Sequence, residues 1–86
     1  MPYTIEYLDD VIKHDIPALP GKQKEQIKRA IVERLGENPV AYGKPMRYSF
    51  KGHRRLRVGD WRVIYRIEDA IVLIVAIGHR KNIYDE

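Results

Sequence analysis

The 86-residue chain contains no cysteine, which excludes disulfides, thiolate nucleophiles and thiolate metal ligands and suits a reducing compartment. It has one tryptophan and one phenylalanine, so a core has to be built mainly from Ile, Leu, Val and Tyr. Its longest apolar run, Ala70 to Ile77, stops well short of the roughly 20 residues a membrane-spanning helix needs. The N-terminal Met1-Pro2-Tyr3-Thr4-Ile5-Glu6 lacks the charged-then-apolar pattern of a secretory signal. His14, His53 and His79 are widely spaced without an adjacent ligand pattern, so no metal site is expected. The sequence also has no Gly-rich phosphate loop, no nucleophile elbow and no paired-carboxylate constellation. The expectation is one soluble cytoplasmic domain over residues 1–86, without membrane attachment.

What the chain does have is positive charge, and in one half only. The net charge is +4 and the pI about 9.5. Between Lys44 and Lys81 stand ten Lys/Arg (Lys44, Arg47, Lys51, Arg54, Arg55, Arg57, Arg62, Arg66, Arg80, Lys81) against Asp60, Glu68 and Asp69, a net of +7. The remainder carries six bases and nine acids, a net of −3. Such asymmetry points to a phosphate-bearing or acidic partner meeting one region.

Hydrophobic spacing outlines the elements. Tyr3 to Tyr7 alternates as a first strand. Leu8, Val11, Ile12 and Ile16 fall at helical spacing, and Pro17 ends that short helix. A longer helix is expected from Pro20 to Leu35, with Ile27, Ile31 and Leu35 as its apolar stripe and Gly36 as its stop. Residues Glu37 to Pro45 read as a loop and Met46 to Lys51 as a strand, broken by Gly52. A hairpin over Arg54 to Arg66 and an apolar strand from Ile71 to Ile77, covered on both faces, complete the pattern. The fold class expected is α+β: a small antiparallel sheet of about four strands, with two N-terminal helices packed on one face.

The hairpin carries the functional signal. A two-residue turn at Gly59-Asp60 pairs Val58 with Trp61 and sets Arg57 opposite Arg62. Alternation sends Leu56, Val58, Trp61, Val63, Tyr65 and Ile67 to the core and Arg55, Arg57, Arg62 and Arg66 to the other side. Directly opposed like charges cost a few tenths to about 1 kcal/mol, which folding alone would avoid. An anion explains the arrangement; a salt-screened basic face, or a dock for an acidic protein, is the competing explanation. Arginine grips phosphate bidentately and stacks on bases, and Tyr48, Phe50, Trp61, Tyr65 and Tyr84 are nearby aromatics, of which Phe50, Trp61 and Tyr65 fit a core better.

With these residue types, cleavage of RNA by attack of its 2′-hydroxyl is the chemistry within reach. Arginines can stabilise the phosphorane charge, but with a pKa above about 12 they transfer protons poorly. His79 and Tyr84 are the candidates for that task. A regular last strand would put His79, and not Arg80, on the face of Arg62; Gly78 could change this as a bulge or strand end.

The run Arg55 to Tyr65, followed by an apolar strand and Gly78-His79-Arg80-Lys81-Asn82-Ile83-Tyr84, resembles the RelE/ParE toxin superfamily of type II toxin–antitoxin systems. The resemblance covers almost the whole chain. It implies a cognate acidic antitoxin and, for the RelE branch, cofactor-free cleavage of mRNA in the ribosomal A site. It matches a basic concave site to Arg55, Arg57, Arg62, Arg80 and Tyr84, with Arg62 and Arg80 holding the scissile phosphate and Tyr84 orienting the nucleotide. His79 joins them as a proton-transfer candidate, because arginine stands at positions 55 and 57 where some relatives have lysine. Lys44, Arg47, Lys51, Arg54, Arg66 and Lys81 would bind the RNA more generally. A ParE-type, non-enzymatic DNA gyrase inhibitor and a non-catalytic RNA-binding module are the other readings.

Overall fold

The computed structural model describes residues 2–83. Strand β1 (Thr4–Tyr7) turns Ile5 and Tyr7 inward and Thr4 and Glu6 outward. The next helical turn, Val11–Asp15, is π-helical and closes with an i→i+5 bond from Ile16 N–H to Val11 C=O (2.9 Å). Its inward stripe is narrower than the spacing predicts: Val11 is fully buried, but Ile12 is 52% exposed. Helix α1 (Gly21–Ala30) runs on into a second π-helical turn, Ile31–Leu35, and the stripe Ile27, Ile31, Leu35 is buried as expected.

Two short elements replace the expected loop and strand. Helix α2 (Pro39–Tyr42) starts where Asn38 Oδ1 accepts from Ala41 N–H (3.2 Å), with proline at the first helical position. Strand β2 is only Lys44–Pro45, and the segment expected as a strand from Met46 to Lys51 instead contains a 3-10 turn, Tyr48–Phe50. Pro45 has no N–H for a ladder, and Tyr48 adopts φ +57°, so extended pairing cannot continue there.

Strands β3 (Arg54–Val58), β4 (Trp61–Glu68) and β5 (Ile71–His79) form a meander. The β3–β4 turn has Gly59 at φ +60°, and it pairs Val58 with Trp61 and Arg57 with Arg62 as read from the sequence. The sheet has five strands in the order β1-β5-β4-β3-β2. It is mixed, not purely antiparallel: β1 runs parallel to β5, Thr4 against Ile71 through Tyr7 against Ile74. Antiparallel pairing is enforced only where a tight hairpin joins two strands, and β1 and β5 lie at opposite ends of the chain.

The helical segments between Val11 and Leu35 pack on one face. Val11, Leu19, Ile27, Ala30, Ile31 and Leu35 meet Leu56, Val58, Val63, Tyr65, Val72, Ile74 and Ile77 in a single cluster. Tyr65 is completely buried there, and its hydroxyl donates to Pro39 C=O (2.6 Å). Gly43 leaves it room, since a Cβ at that position would lie 1.7 Å from the Tyr65 hydroxyl oxygen.

The β4–β5 ladder is irregular between Ile64 and Tyr65: Ile64 faces Ala76 while Tyr65 faces Ile74, leaving Val75 as an extra residue. This bulge reverses the alternation of β5. Ahead of it Val72 and Ile74 face the helices; beyond it Ile77 and His79 do, and Ala76 and Gly78 face the other way. The expected change of phase therefore exists, but at Val75 rather than Gly78.

We expect Tyr65→Phe, which orphans a buried carbonyl, to lower unfolding stability by about 1–3 kcal/mol in denaturant titrations. Gly43→Ala should cost more, and the double variant less than the sum, because removing the hydroxyl relieves part of the clash.

Candidate functional site

The face opposite the helices carries three rows of side chains set by the register. One row crosses Arg57, Arg62 and Gly78; the next crosses Arg55, Ile64 and Ala76; beyond it lie Arg66 and Leu73. Adjacent rows are about 7 Å apart. Arg55, Arg57, Arg62 and Arg66 thus share a face as the alternation predicts.

Two of these arginines are buried, Arg55 at 9% and Arg62 at 7% exposure. Arg62 Nη1 donates to Gly59 C=O (3.0 Å) and Trp61 C=O (2.9 Å), so the hairpin turn holds the guanidinium in place. A fixed, partly dehydrated guanidinium interacts with an arriving phosphate more strongly than a solvated one. At the edge of β3, Arg34, Tyr42, Lys44, Arg55 and Arg57 line a small cleft of about 110 Å³. Arg34 was not legible as a site residue, because it belongs to a helix in the acidic half of the chain.

The remaining cations divide. Lys44, Arg47, Lys51 and Lys81 are exposed. Arg66 Nε is paired with Glu68 Oε2 at 2.5 Å. Arg54 stands apart from the arginine face: it shares the helix side with Tyr65 and donates through Nη2 to Val40 C=O and Gly43 C=O, both at 2.8 Å. It fastens the end of α2 to β3. Burial pushes the Tyr65 phenol up, and its hydrogen bond with Arg54 offsets part of that.

His79 needs correction as a companion of Arg62. It pairs with Trp61 on the helix side, the two rings edge-on with centroids 5.3 Å apart. There it lines a cavity of about 410 Å³ with His14, Asp15 and Leu19, and Asp15 Oδ2 accepts from Ile77 N–H (2.9 Å). His79 nonetheless organises the turn that follows: its carbonyl accepts from Asn82 and Ile83 N–H (2.8 and 3.1 Å), and its Nδ1 from Lys81 N–H (3.2 Å). Arg80 sits at the hairpin tip, its N–H on Asp60 C=O (2.8 Å) and its Nε 3.5 Å from Asp60 Oδ1. The strand ends before Arg80. Gly78 provides space, since a Cβ there would meet Ile83 at 3.1 Å; Ile83 folds back over the glycine that faces Arg62. Tyr84 lies outside the described residues. Among the described residues no group of three or more His, Asp or Glu could hold a metal ion, and no helix is long and apolar enough to cross a membrane.

A family model described as the ParE toxin of the type II toxin–antitoxin system parDE matches residues 2–84. The chain belongs to the RelE/ParE toxin superfamily. This toxin is 31% identical over 86 residues to Toxin RelG of Mycobacterium tuberculosis, covering 98% of each chain. It is 35% identical over 72 residues to Toxin RelE of the same organism, covering 81% of this chain and 74% of that one. Its fold superposes on a chain of the M. tuberculosis toxin–antitoxin complex RelBE2 with a TM-score of 0.86 at 29% identity, over 93% of this chain and 100% of that one. The isolated Escherichia coli RelE toxin, at 18% identity, shares the fold with a TM-score of 0.73, over 90% and 83% of the two chains.

For the toxin, Arg54→Ala should lower stability by about 1.5–3 kcal/mol, the range for hydrogen bonds to a charged group. The exposed Lys51→Ala should stay within about 0.5 kcal/mol of wild type. Thermal denaturation of both variants separates the structural cation from the surface one.

Proposed function

We propose that this toxin is a ribosome-dependent endoribonuclease that cuts mRNA in the A site, and that an acidic antitoxin silences it by covering the arginine face. The observation that carries the reading is the row of Arg57 beside buried Arg62, with Arg55 one row away, on the sheet face that the helices leave open. Relatives support both halves: the curated relatives are RelE and RelG toxins, and the RelBE2 structure is a toxin–antitoxin complex.

In the proposed reaction the ribose 2′-oxygen attacks the adjacent phosphorus as the bond to the 5′-oxygen breaks. The 2′-hydroxyl gives up its proton and the leaving 5′-oxygen gains one. The products are a 2′,3′-cyclic phosphate and a 5′-hydroxyl. Arg57 and Arg62 neutralise the charge that accumulates on the phosphorane oxygens, and Arg55 and Arg80 hold the flanking backbone. Lys44, Arg47, Lys51, Arg66 and Lys81 add attraction that does not depend on sequence. His79 acts here as a positioning residue, because it faces Trp61 and shapes the turn bearing Arg80. Tyr84 is the side chain of the pattern left to exchange a proton or orient the nucleotide, and its neighbour Ile83 packs on Gly78 of the arginine face.

The ParE description of the matching family model favours a second reading, a non-enzymatic DNA gyrase inhibitor. One assay separates the two: ribosomes carrying a defined mRNA, with new 5′ ends mapped, beside a gyrase reaction on plasmid DNA. We expect codon-register cuts with wild type and a loss of roughly a hundred- to a thousandfold in rate for Arg62→Ala. Tyr84→Phe should lose on the order of a hundredfold if it moves a proton. Gyrase-dependent DNA breaks with intact mRNA would replace this reading by the ParE one.

A further inference from the structure

Beside the arginine row lies a slot that charge alone does not explain. Phe50, His53, Ile64, Val75, Ala76 and Ile83 line a cavity of about 470 Å³ on the arginine side of the sheet. Its floor follows from the register: Ile64 has Arg55 on one side and Ala76 on the other. The β5 bulge brings two successive residues, Val75 and Ala76, to the same cavity, and the small Ala76 side chain leaves depth there. The Tyr48–Phe50 turn, folded over the sheet, supplies one wall, and Ile83, folded back over Gly78, supplies another. Two lining residues can form hydrogen bonds, His53 and Asn82, and His53 Nδ1 is enclosed without a hydrogen-bond partner.

We propose that this slot holds one unpaired nucleobase of the RNA whose phosphate lies on the arginine row, and that it sets the base preference at the cut. The inference rests on the ribonuclease reading. The Arg57–Arg62 row is about 7 Å from the Arg55–Ile64–Ala76 row, a step that a ribose spans. Single-stranded RNA presents splayed bases that stack on Phe and His rings and are read along their edges by polar side chains. An apolar slot with a phenyl and an imidazole among its walls, next to cations fixed for phosphate, meets both demands. The basic surroundings favour a nucleotide over an aliphatic side chain of a protein partner, because the slot opens where a polyanion backbone is already attracted.

The test maps cleavage on ribosomes programmed with an mRNA library randomised at one codon, for wild type, Phe50→Leu, Ala76→Leu and Asn82→Ala. Phe50→Leu removes a stacking ring, Ala76→Leu fills the floor, and the exposed Asn82→Ala carries little folding risk. We expect the preferred and disfavoured bases at one position next to the cut to differ by at least about tenfold in wild type. That ratio should fall by about five- to tenfold in the variants, while cutting at the disfavoured codons persists, since base stacking alone accounts for a factor of this order or more. An unchanged base profile in all three variants, with cutting retained, overturns the slot and leaves the ribonuclease reading standing. Wild type that cuts no mRNA overturns the ribonuclease reading itself. Variants that lose affinity for a co-purified antitoxin while keeping the wild-type base profile would assign the slot to a protein side chain, and the proposal fails.

Discussion

The placement of one extra residue in β5 governs how this molecule divides into a core side and a charged side. Val75 shifts the alternation of the strand, so Ile77 joins the core and Gly78 faces Arg62. Without that shift Ile77 would leave the core for a charged surface, and a histidine would stand among the arginines. The hairpin, the turn carrying Arg80 and the fold-back of Ile83 all inherit their positions from it. Bulges are known to re-aim side chains near functional sites, and here one bulge re-aims the whole end of the strand.

The charged side is sustained by the core beneath it. Opposing Arg57 and Arg62 costs up to about 1 kcal/mol, and the burial of Arg55 and Arg62 adds a desolvation cost. Each fully buried Leu, Ile or Val below the same strands contributes about 1.5–3 kcal/mol. Leu56, Val63, Val72 and Ile74 therefore outweigh the repulsion several times over. The arrangement is one a fold can tolerate for the sake of a ligand, and the hydrogen bonds from Arg62 to the turn show where the guanidinium is restrained.

Much of this was readable from the residues, and the failures have physical reasons. The hairpin register follows from Gly59-Asp60, because a two-residue turn leaves only one pairing. The α1 stripe follows from the spacing of Ile27, Ile31 and Leu35. Charge counting grouped Arg54 with the RNA-binding cations, but it lies on the side of Tyr65 and bonds the end of α2; the alternation of β3, extended by one residue, carries that placement. Asn38-Pro39 was a capping signal for α2 that the loop-like composition obscured. The bulge had no such signal, since a run of Ile, Val, Leu and Ala reads the same in either phase. The β1–β5 pairing is non-local, and no turn residue encodes it. His53 and Ile83 gained their place only once the loop and the last turn were folded over the sheet.

The parallel pairing of β1 with β5 has a consequence for synthesis. Thr4 meets Ile71, and Tyr7 meets Ile74, across almost the full length of the chain. Contacts of such separation form late, because a long loop must close before any pairing offsets its entropy. Of these five strands, the earliest to be synthesised is thus the last to find its neighbour. A nascent chain can assemble helix α1 and the hairpin early, but β1 stays without its sheet partner until β5 has emerged. The order of translation itself therefore delays completion of the five-stranded sheet until β5 is available, although the β3–β4 hairpin does not have to wait.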